Sequence, residues 1–385
     1  MFRALPPSGV PIKLSEILAG IRSLSSGAKA VADFNREVCQ AFGMRHAITV
    51  SSGRAGLSLL FRAFRVLRPG CSEVLIPAYT SFSVPSAVVH AGLTVSLYDI
   101  DPATLSPVAA SLVSAINEKT LCIVVCHLFG FPADLDEVLK IAQLHKIPVV
   151  DDAAQAMGAL YRGKQVGTFG AAGLFSLSRG KNITAVDGGI VVTNDDELAR
   201  ELSAVALEPI GAKRQFLLVL KAVVLSFLLH PRCYWLPRSI PSLNLGVSHF
   251  EPDFPLQCFT SFQAGIGSSM LKRLAGITAK RMRIAQCIAH LFSGNSTVQL
   301  PHAVAGAEPV FLRFPVLVTR PVENATLGVV RSYPAPVQLI PGIEPFLSTD
   351  QEFPGAVTLA EAVLTLPTHC YVTADDCQNA VKAFS

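Results

Sequence analysis

The stretch Val149-Val-Asp-Asp-Ala-Ala-Gln155, followed by Leu174-Phe-Ser-Leu-Ser-Arg-Gly-Lys-Asn-Ile-Thr184 and Asp187-Gly-Gly189, decides how this chain is read. A β-branched run ends in two carboxylates, and a second apolar run passes hydroxyls into one Lys flanked by small residues. Both runs have strand length and stop at loop residues, so their polar groups stand at strand ends. The same rhythm extends outward in both directions. Strand-like runs at 47–50, 73–76, 94–98, 121–126, 148–151, 173–177 and 189–193 alternate with helical patterns at 55–67, 83–90, 107–116 and 135–145. In the last of these, Leu135, Val138, Leu139, Ile141, Ala142 and Leu144 recur at helical spacing. Alternation of this kind predicts an α/β fold, a mostly parallel sheet with helices on both faces, whose ligands lie beyond the carboxyl ends of the strands.

Downstream the rhythm changes. A helix is expected at 198–207 and a long one at 261–292, with strand character at 310–318 and a closing helix at 374–384. The resulting division is a large domain over 1–205, in which 1–35 has no assigned role, an apolar and Pro-rich insertion over 206–260, and a small α+β domain over 261–385. Pro231, Pro237, Pro241, Pro252 and Pro255 mark the insertion.

Of the 385 residues, 50% are apolar and 16% charged, and the net charge of +4 is spread along the chain. With no Lys/Arg run and no zinc-finger or RNA-binding signature, nucleic acid is not an expected partner. The nine cysteines are scattered, with no C-x-x-C pair, and Cys122 and Cys126 lie in apolar runs where a thiol behaves as a small hydrophobe. Reduced thiols in a cytoplasmic protein fit that pattern. The first residues, Met1-Phe-Arg-Ala-Leu-Pro-Pro7, lack the continuous apolar segment of a signal peptide.

A strand-end acid and a loop Lys are the two protein groups that pyridoxal phosphate needs, one for its ring nitrogen and one for its aldehyde. Asp152 and Lys181 carry that chemistry. Side chains alternate along a strand, so only one of Asp151 and Asp152 faces a pocket. Lys181 lies between a β-type run and the Gly188-Gly189 turn, where burial would lower its proton affinity and make it a nucleophile. Ser51-Ser-Gly-Arg-Ala-Gly56 follows a strand and opens a helix, so its backbone N–H groups converge where an anion is welcome; Ser52 is equally an ordinary N-cap. His127 alone does not make a metal site, and no metal is expected.

The motif order is more specific than any single motif. The Ser51-Ser-Gly53 helix start is followed by Ile76-Pro-Ala-Tyr-Thr80 and Val125-Cys-His-Leu-Phe-Gly-Phe-Pro-Ala-Asp134. Then come Asp151-Asp-Ala-Ala-Gln155, Gly167-Thr-Phe-Gly170, Phe175-Ser-Leu-Ser-Arg-Gly-Lys-Asn182 and Gly188-Gly-Ile-Val-Val-Thr193. Over residues 36–205 this order closely resembles the DegT/DnrJ/EryC1/StrS family of pyridoxal-phosphate-dependent, fold-type-I sugar aminotransferases. The resemblance implies a seven-stranded sheet with a smaller C-terminal domain, and a homodimer. It implies transfer of an amino group, from an amino acid such as glutamate, to a keto-sugar linked to a nucleotide or a lipid, in polysaccharide or amino-sugar biosynthesis. By the same resemblance Lys181 is the Schiff-base lysine and proton shuttle, Asp152 the acid on the ring nitrogen, and Gln155 a residue lying against the ring. Ser176 would hold the phosphate with the backbone of Gly53, Arg54 and Ala55. Family members with dehydratase activity carry His at the Lys181 position, so the retained Lys implies amino transfer.

Three departures stand out. The family's stacking aromatic falls at Ser81, with Phe82 next to it: either Phe82 takes over with a local shift or the stack is lost. The family's cross-subunit Asn-Tyr-Arg-Met segment is here Leu256-Gln-Cys-Phe259, which makes the Arg54 side chain a substitute for that phosphate contact. A His commonly found two residues after Gln155 is Met157. These changes suit an alternative, a catalytically silent, membrane-associated scaffold, which the retained Lys181, Asp152, Gln155 and Ser176 oppose.

The most apolar run, residues 216–229, holds a single Lys221 and is flanked by Lys213-Arg214, by Arg232 and by Tyr234-Trp235. It is shorter than the ~20 apolar residues that cross a bilayer. Two readings stand: a helix in the membrane interface, giving a peripheral contact at its inner face, or a buried core or dimer-interface helix.

Overall fold

The computed structural model describes residues 3–239, 249–320, 323–348 and 351–384. The seven β-branched runs form one sheet: β1 (His46–Val50), β2 (Glu73–Pro77), β3 (Thr94–Tyr98), β4 (Thr120–Cys126), β5 (Val149–Asp152), β6 (Ala172–Ser176) and β7 (Gly189–Thr193). Their order across the sheet is β1-β7-β6-β5-β4-β2-β3. β2 runs parallel to β3 and β4, and β5 parallel to β4 and β6. β7 runs antiparallel to both its neighbours. Strands β2, β4, β5, β6 and β7 are buried along their whole length, which is why they read as continuous apolar runs.

Helices supply the crossovers and cover the sheet. α1 (Leu14–Ser23) and α2 (Ala28–Phe42) precede it, and α3 (Gly53–Leu67), α4 (Ser83–His90), α5 (Ala109–Ala115) and α6 (Leu135–Leu144) connect its strands. α7 (Asp196–Ala204) follows, capped by Asp195, whose side chain accepts from the Glu197 and Leu198 N–H groups. The apolar run lies within α8 (Ala212–Leu228), and α9 (Trp235–Arg238) comes next. Pro241, cited for the Pro-rich insertion, lies outside the described residues.

The long helix expected at 261–292 is two, α10 (Ser261–Leu271) and α11 (Leu274–Leu291). At the break, Arg273 turns away to an ion pair with the buried Glu16 of α1. Segment 1–35, without a role in the sequence, forms α1 and part of α2, and both pack on α10. Ile17, Phe34 and Phe262 thereby join the core of the large sheet. A second core gathers Ile284 and Ile288 of α11 with Val316 and Leu364. It lies on β8 (Arg313–Val318) and the antiparallel β9 (Val363–Pro367), flanked by α12 (Pro354–Ala362) and α13 (Ala374–Lys382).

Strand register sets the site. Cys126 stands opposite Asp152, and Ser176 opposite Gly189, which in turn faces Val50. Five strand ends therefore meet at one edge. The turn through Gly167 folds onto β6 so closely that a Cβ on Gly173 would stand 1.8 Å from the Gly167 carbonyl oxygen. Backbone on backbone cannot yield, so we expect Gly173→Ala to destabilise the protein by about 3 kcal/mol or more. Urea unfolding of parent and variant measures it, and an unchanged midpoint contradicts this packing.

Candidate active site

The two adjacent carboxylates of β5 part company as strand alternation requires. Asp151 is fully buried on the structural side. Its Oδ2 accepts from the Gly167 and Phe169 N–H groups at 2.7 and 2.9 Å, and its Oδ1 lies 2.5 Å from His127 Nε2. His127 Nδ1 accepts from the Ala133 N–H at 2.9 Å, which leaves Nε2 as the donor to Asp151. His127 is thus a hydrogen-bonded structural histidine.

Asp152 faces a cavity of about 340 Å³ that also holds Lys181, Gln155, Ser176 and the Gly53 turn. Its Oδ1 accepts from the Ala154 N–H at 2.9 Å, and its Oδ2 from the Cys126 thiol at 3.6 Å. Burial raises the Asp152 carboxyl above the usual range, against the Ala154 hydrogen bond and the charge of Lys181, which pull it down. Burial likewise lowers the Lys181 amine, with Asp152 opposing. Among the described residues Lys181 Nζ makes no hydrogen bond or ion pair. The acid thus lacks a close cation and the amine lacks a close anion, although both face one space.

Opposite them, α3 begins at Gly53. Ser52 caps it, its hydroxyl accepting from the Ala55 N–H at 3.2 Å. The Ala55 N–H is therefore not free for a phosphate, as the sequence had suggested, and the open donors of the first turn are those of Gly53 and Arg54. A Cβ on Gly53 would lie 3.2 Å from Ser176 Oγ, so the glycine lets helix N-terminus and hydroxyl share one spot. That combination is an anion site by its N–H groups and its dipole.

The rim departs further from expectation. The Arg54 guanidinium donates to Glu251 at 2.8 Å and lies 4.8 Å over the Phe254 ring, so its side chain is engaged by the chain itself and makes no hydrogen bond to Ser176. Phe82 does not line the cavity. It is buried beneath it, tilted against Tyr333, while Ser81 and Ser83 face the space with their hydroxyls 2.6 Å apart. Gln155 is held at both ends, accepting from the Phe129 N–H at 3.1 Å and donating to Tyr333 Oη at 2.9 Å. Phe129 adopts a left-handed backbone, φ 56°, a conformation that this bond and the buried ring help to hold.

Sequence reasoning missed Cys126, Tyr333, His249, Glu251 and a cavity role for Asp187. A thiol in an apolar run reads as core, His249 and Glu251 line the cavity from distant chain, and the equally distant Tyr333 holds Gln155. Asp187 alone carried a signal, as an acid directly before a Gly-Gly turn. Among the described residues, no three His, Cys, Asp or Glu side chains gather as metal ligands.

The donor set matches the demands of pyridoxal phosphate. Open N–H groups and a hydroxyl suit the phosphate, a buried carboxylate without a close cation suits the protonated ring nitrogen, and a free amine suits the aldehyde.

Residues 13–222 and 257–385 match the DegT/DnrJ/EryC1/StrS aminotransferase family. The chain is 29% identical over 378 residues to the GDP-perosamine synthase of Caulobacter vibrioides, covering 94% of this chain and 90% of that protein. It is 37% identical over 193 residues to the UDP-N-acetyl-3-dehydro-α-D-glucosamine 3-aminotransferase of Acidithiobacillus ferrooxidans, covering 49% and 52% of the two chains. Among solved structures it is similar to S. venezuelae DesV, with a TM-score of 0.75 and 25% identity over 96% of this chain and 93% of that one.

Folding raises the Asp152 carboxyl above its unfolded value, so proton binding there stabilises the folded chain below the unfolded pKa. That contribution is lost as pH rises through the folded value. Without cofactor, the ionised form of this buried acid is a cost. We expect Asp152→Asn to stabilise the cofactor-free protein by on the order of 1 kcal/mol at pH 7. The same change should weaken cofactor binding about ten- to a hundredfold, the loss of a charged hydrogen bond. Thermal melts with and without pyridoxal phosphate separate the two effects; a variant that loses stability without cofactor contradicts the assignment.

Proposed function

Because the chain belongs to the DegT/DnrJ/EryC1/StrS aminotransferase family, we propose that it transfers an amino group, from glutamate, to a keto-sugar carried on a nucleotide or a lipid. It is a pyridoxal-phosphate-dependent aminotransferase of amino-sugar biosynthesis. The observation that carries the proposal is the convergence of Lys181, Asp152 and the open end of α3 on one cavity.

The geometry supports these roles. The N–H groups of Gly53 and Arg54, with the Ser176 hydroxyl, hold the phosphate, while the Ala55 N–H stays with the Ser52 cap. Asp152 keeps a proton on the ring nitrogen, and Cys126 and Ala154 fix the direction of its carboxylate. When bound, the cofactor supplies an aldehyde and an electron-accepting ring. Lys181 Nζ, less basic than a free lysine, takes the proton from the donor's α-carbon. Gln155, clamped by Phe129 and Tyr333, would lie against the bound ring. Ser81 and Ser83 leave hydroxyls where an aromatic would stack, which suits a sugar's hydroxyl groups. The sugar names of the relatives support that substrate class.

A homodimer in the cytoplasm, in peripheral contact with the inner face of a membrane, completes the proposal. The catalytically silent alternative is opposed by an intact acid, amine and anion cradle on one cavity. Purified protein is expected to be yellow, to bleach on borohydride reduction, and to lose both properties in Lys181→Ala, with turnover down at least about a thousandfold. A colourless protein that pyridoxal phosphate does not reconstitute overturns the proposal.

A further inference from the structure

Helix α8 is largely apolar, yet the protein covers only part of it. Leu218 and Ala222 are buried against the body, and α1 packs against the helix. On the opposite side Phe216, Leu217, Leu220, Val223, Val224 and Phe227 fall at the i, i+1, i+4, i+7, i+8, i+11 spacing of a single face. All six are exposed, Phe216 and Phe227 to 67%. Scattered single apolar residues are ordinary on a protein surface, but a continuous stripe is not. Trp235 and Leu236 of α9, just beyond, are exposed too.

The charge around this stripe has one sign. From Pro209 to Ser239 there is no Asp or Glu, whereas Lys213, Arg214, Lys221, Arg232 and Arg238 are all exposed. The neighbouring α1 repeats the pattern. Leu14, Leu18 and Ile21 are exposed, and the sole acid of that helix, Glu16, is buried in its pair with Arg273.

We infer that α8 and α9 form a docking surface for an anionic lipid layer. The apolar stripe enters the boundary between headgroups and acyl chains, the flanking cations meet lipid phosphates, and Trp235 lies at headgroup level. The contact is interfacial, because among the described residues no helix is long and apolar enough to cross a membrane. A second copy of the chain is a poorer occupant. A two-fold contact sets the same patch against itself, and here both patches bring cations and neither brings a carboxylate. Val223, Val224, Phe227, Trp235 and Leu236 lie in the segment 223–256 outside the family match, whereas Phe216, Leu217 and Leu220 lie within it. The inference deepens the peripheral contact proposed above and holds whichever sugar is the substrate.

The test floats the full-length protein, loaded with cofactor, on vesicles of phosphatidylcholine alone or mixed with phosphatidylglycerol. Flotation is expected with the anionic vesicles and should weaken as salt is raised. The double variant Phe216→Glu/Phe227→Glu is expected to stay behind. Lys213→Gln/Arg214→Gln/Lys221→Gln should bind anionic vesicles about a hundredfold more weakly, three surface attractions having been removed. Both variants change exposed side chains only, so their turnover on a soluble substrate should match the parent. Protein that stays behind with both vesicle types overturns the inference, as does equal flotation on neutral vesicles. A Phe variant that turns a dimer into monomers in light scattering also overturns it, in favour of a second copy. A colourless protein that floats would sink the transaminase reading alone.

Discussion

The buried Asp151 carboxylate holds the site together. It lies at the end of the central strand and ties three pieces of chain: β5 itself, the turn at Gly167–Phe169, and the His127 loop after β4. A carboxyl group buried so completely is tolerable only when its oxygens are all engaged. Here two backbone N–H groups and an imidazole do that. Because Asp151 is locked on one side of the strand, the next residue must point the other way, into the cavity. The structural acid therefore aims the chemical one. The same turn brings the Gly167 carbonyl onto Gly173, and β6 then delivers Ser176 to the start of α3.

Much of this was legible because the large domain is built from local patterns. Strand β3 falls where its alternating run predicts, and β5 differs by a single residue at each end. The long helix expected at 261–292 was misjudged because helical spacing continues across Lys272 and Arg273, while the break comes from a distant partner, Glu16. The first helices were invisible for a related reason, since their apolar faces gain meaning only against α10.

The site divides the same way. Asp152, Gln155, Ser176 and Lys181 lie in two short stretches and line one cavity. Ala55 and Phe82 turn on fine geometry: the Ala55 N–H is bonded to the Ser52 helix cap, and the buried Phe82 ring is tilted against Tyr333. Tyr333 and Glu251 come from chain far downstream, where no local periodicity marks them. Cys126 illustrates a third kind of blindness. In an apolar strand its thiol looks like packing, and only the register opposite Asp152 shows that it donates to a carboxylate.

The Arg54–Glu251 pair has a kinetic meaning beyond its place at the rim. The side chains are 31% and 55% exposed, and a solvent-facing ion pair of that kind contributes about 0–1 kcal/mol. That is comparable with thermal energy, so the lip of the cavity parts and rejoins as ordinary side-chain motion, with no hinge required. The deep wall, by contrast, is pinned through Asp151 and Gln155. The molecule thus separates a stiff floor from a loose doorway, and the traffic of molecules across that doorway is governed by diffusion and ionic strength rather than by a folding event.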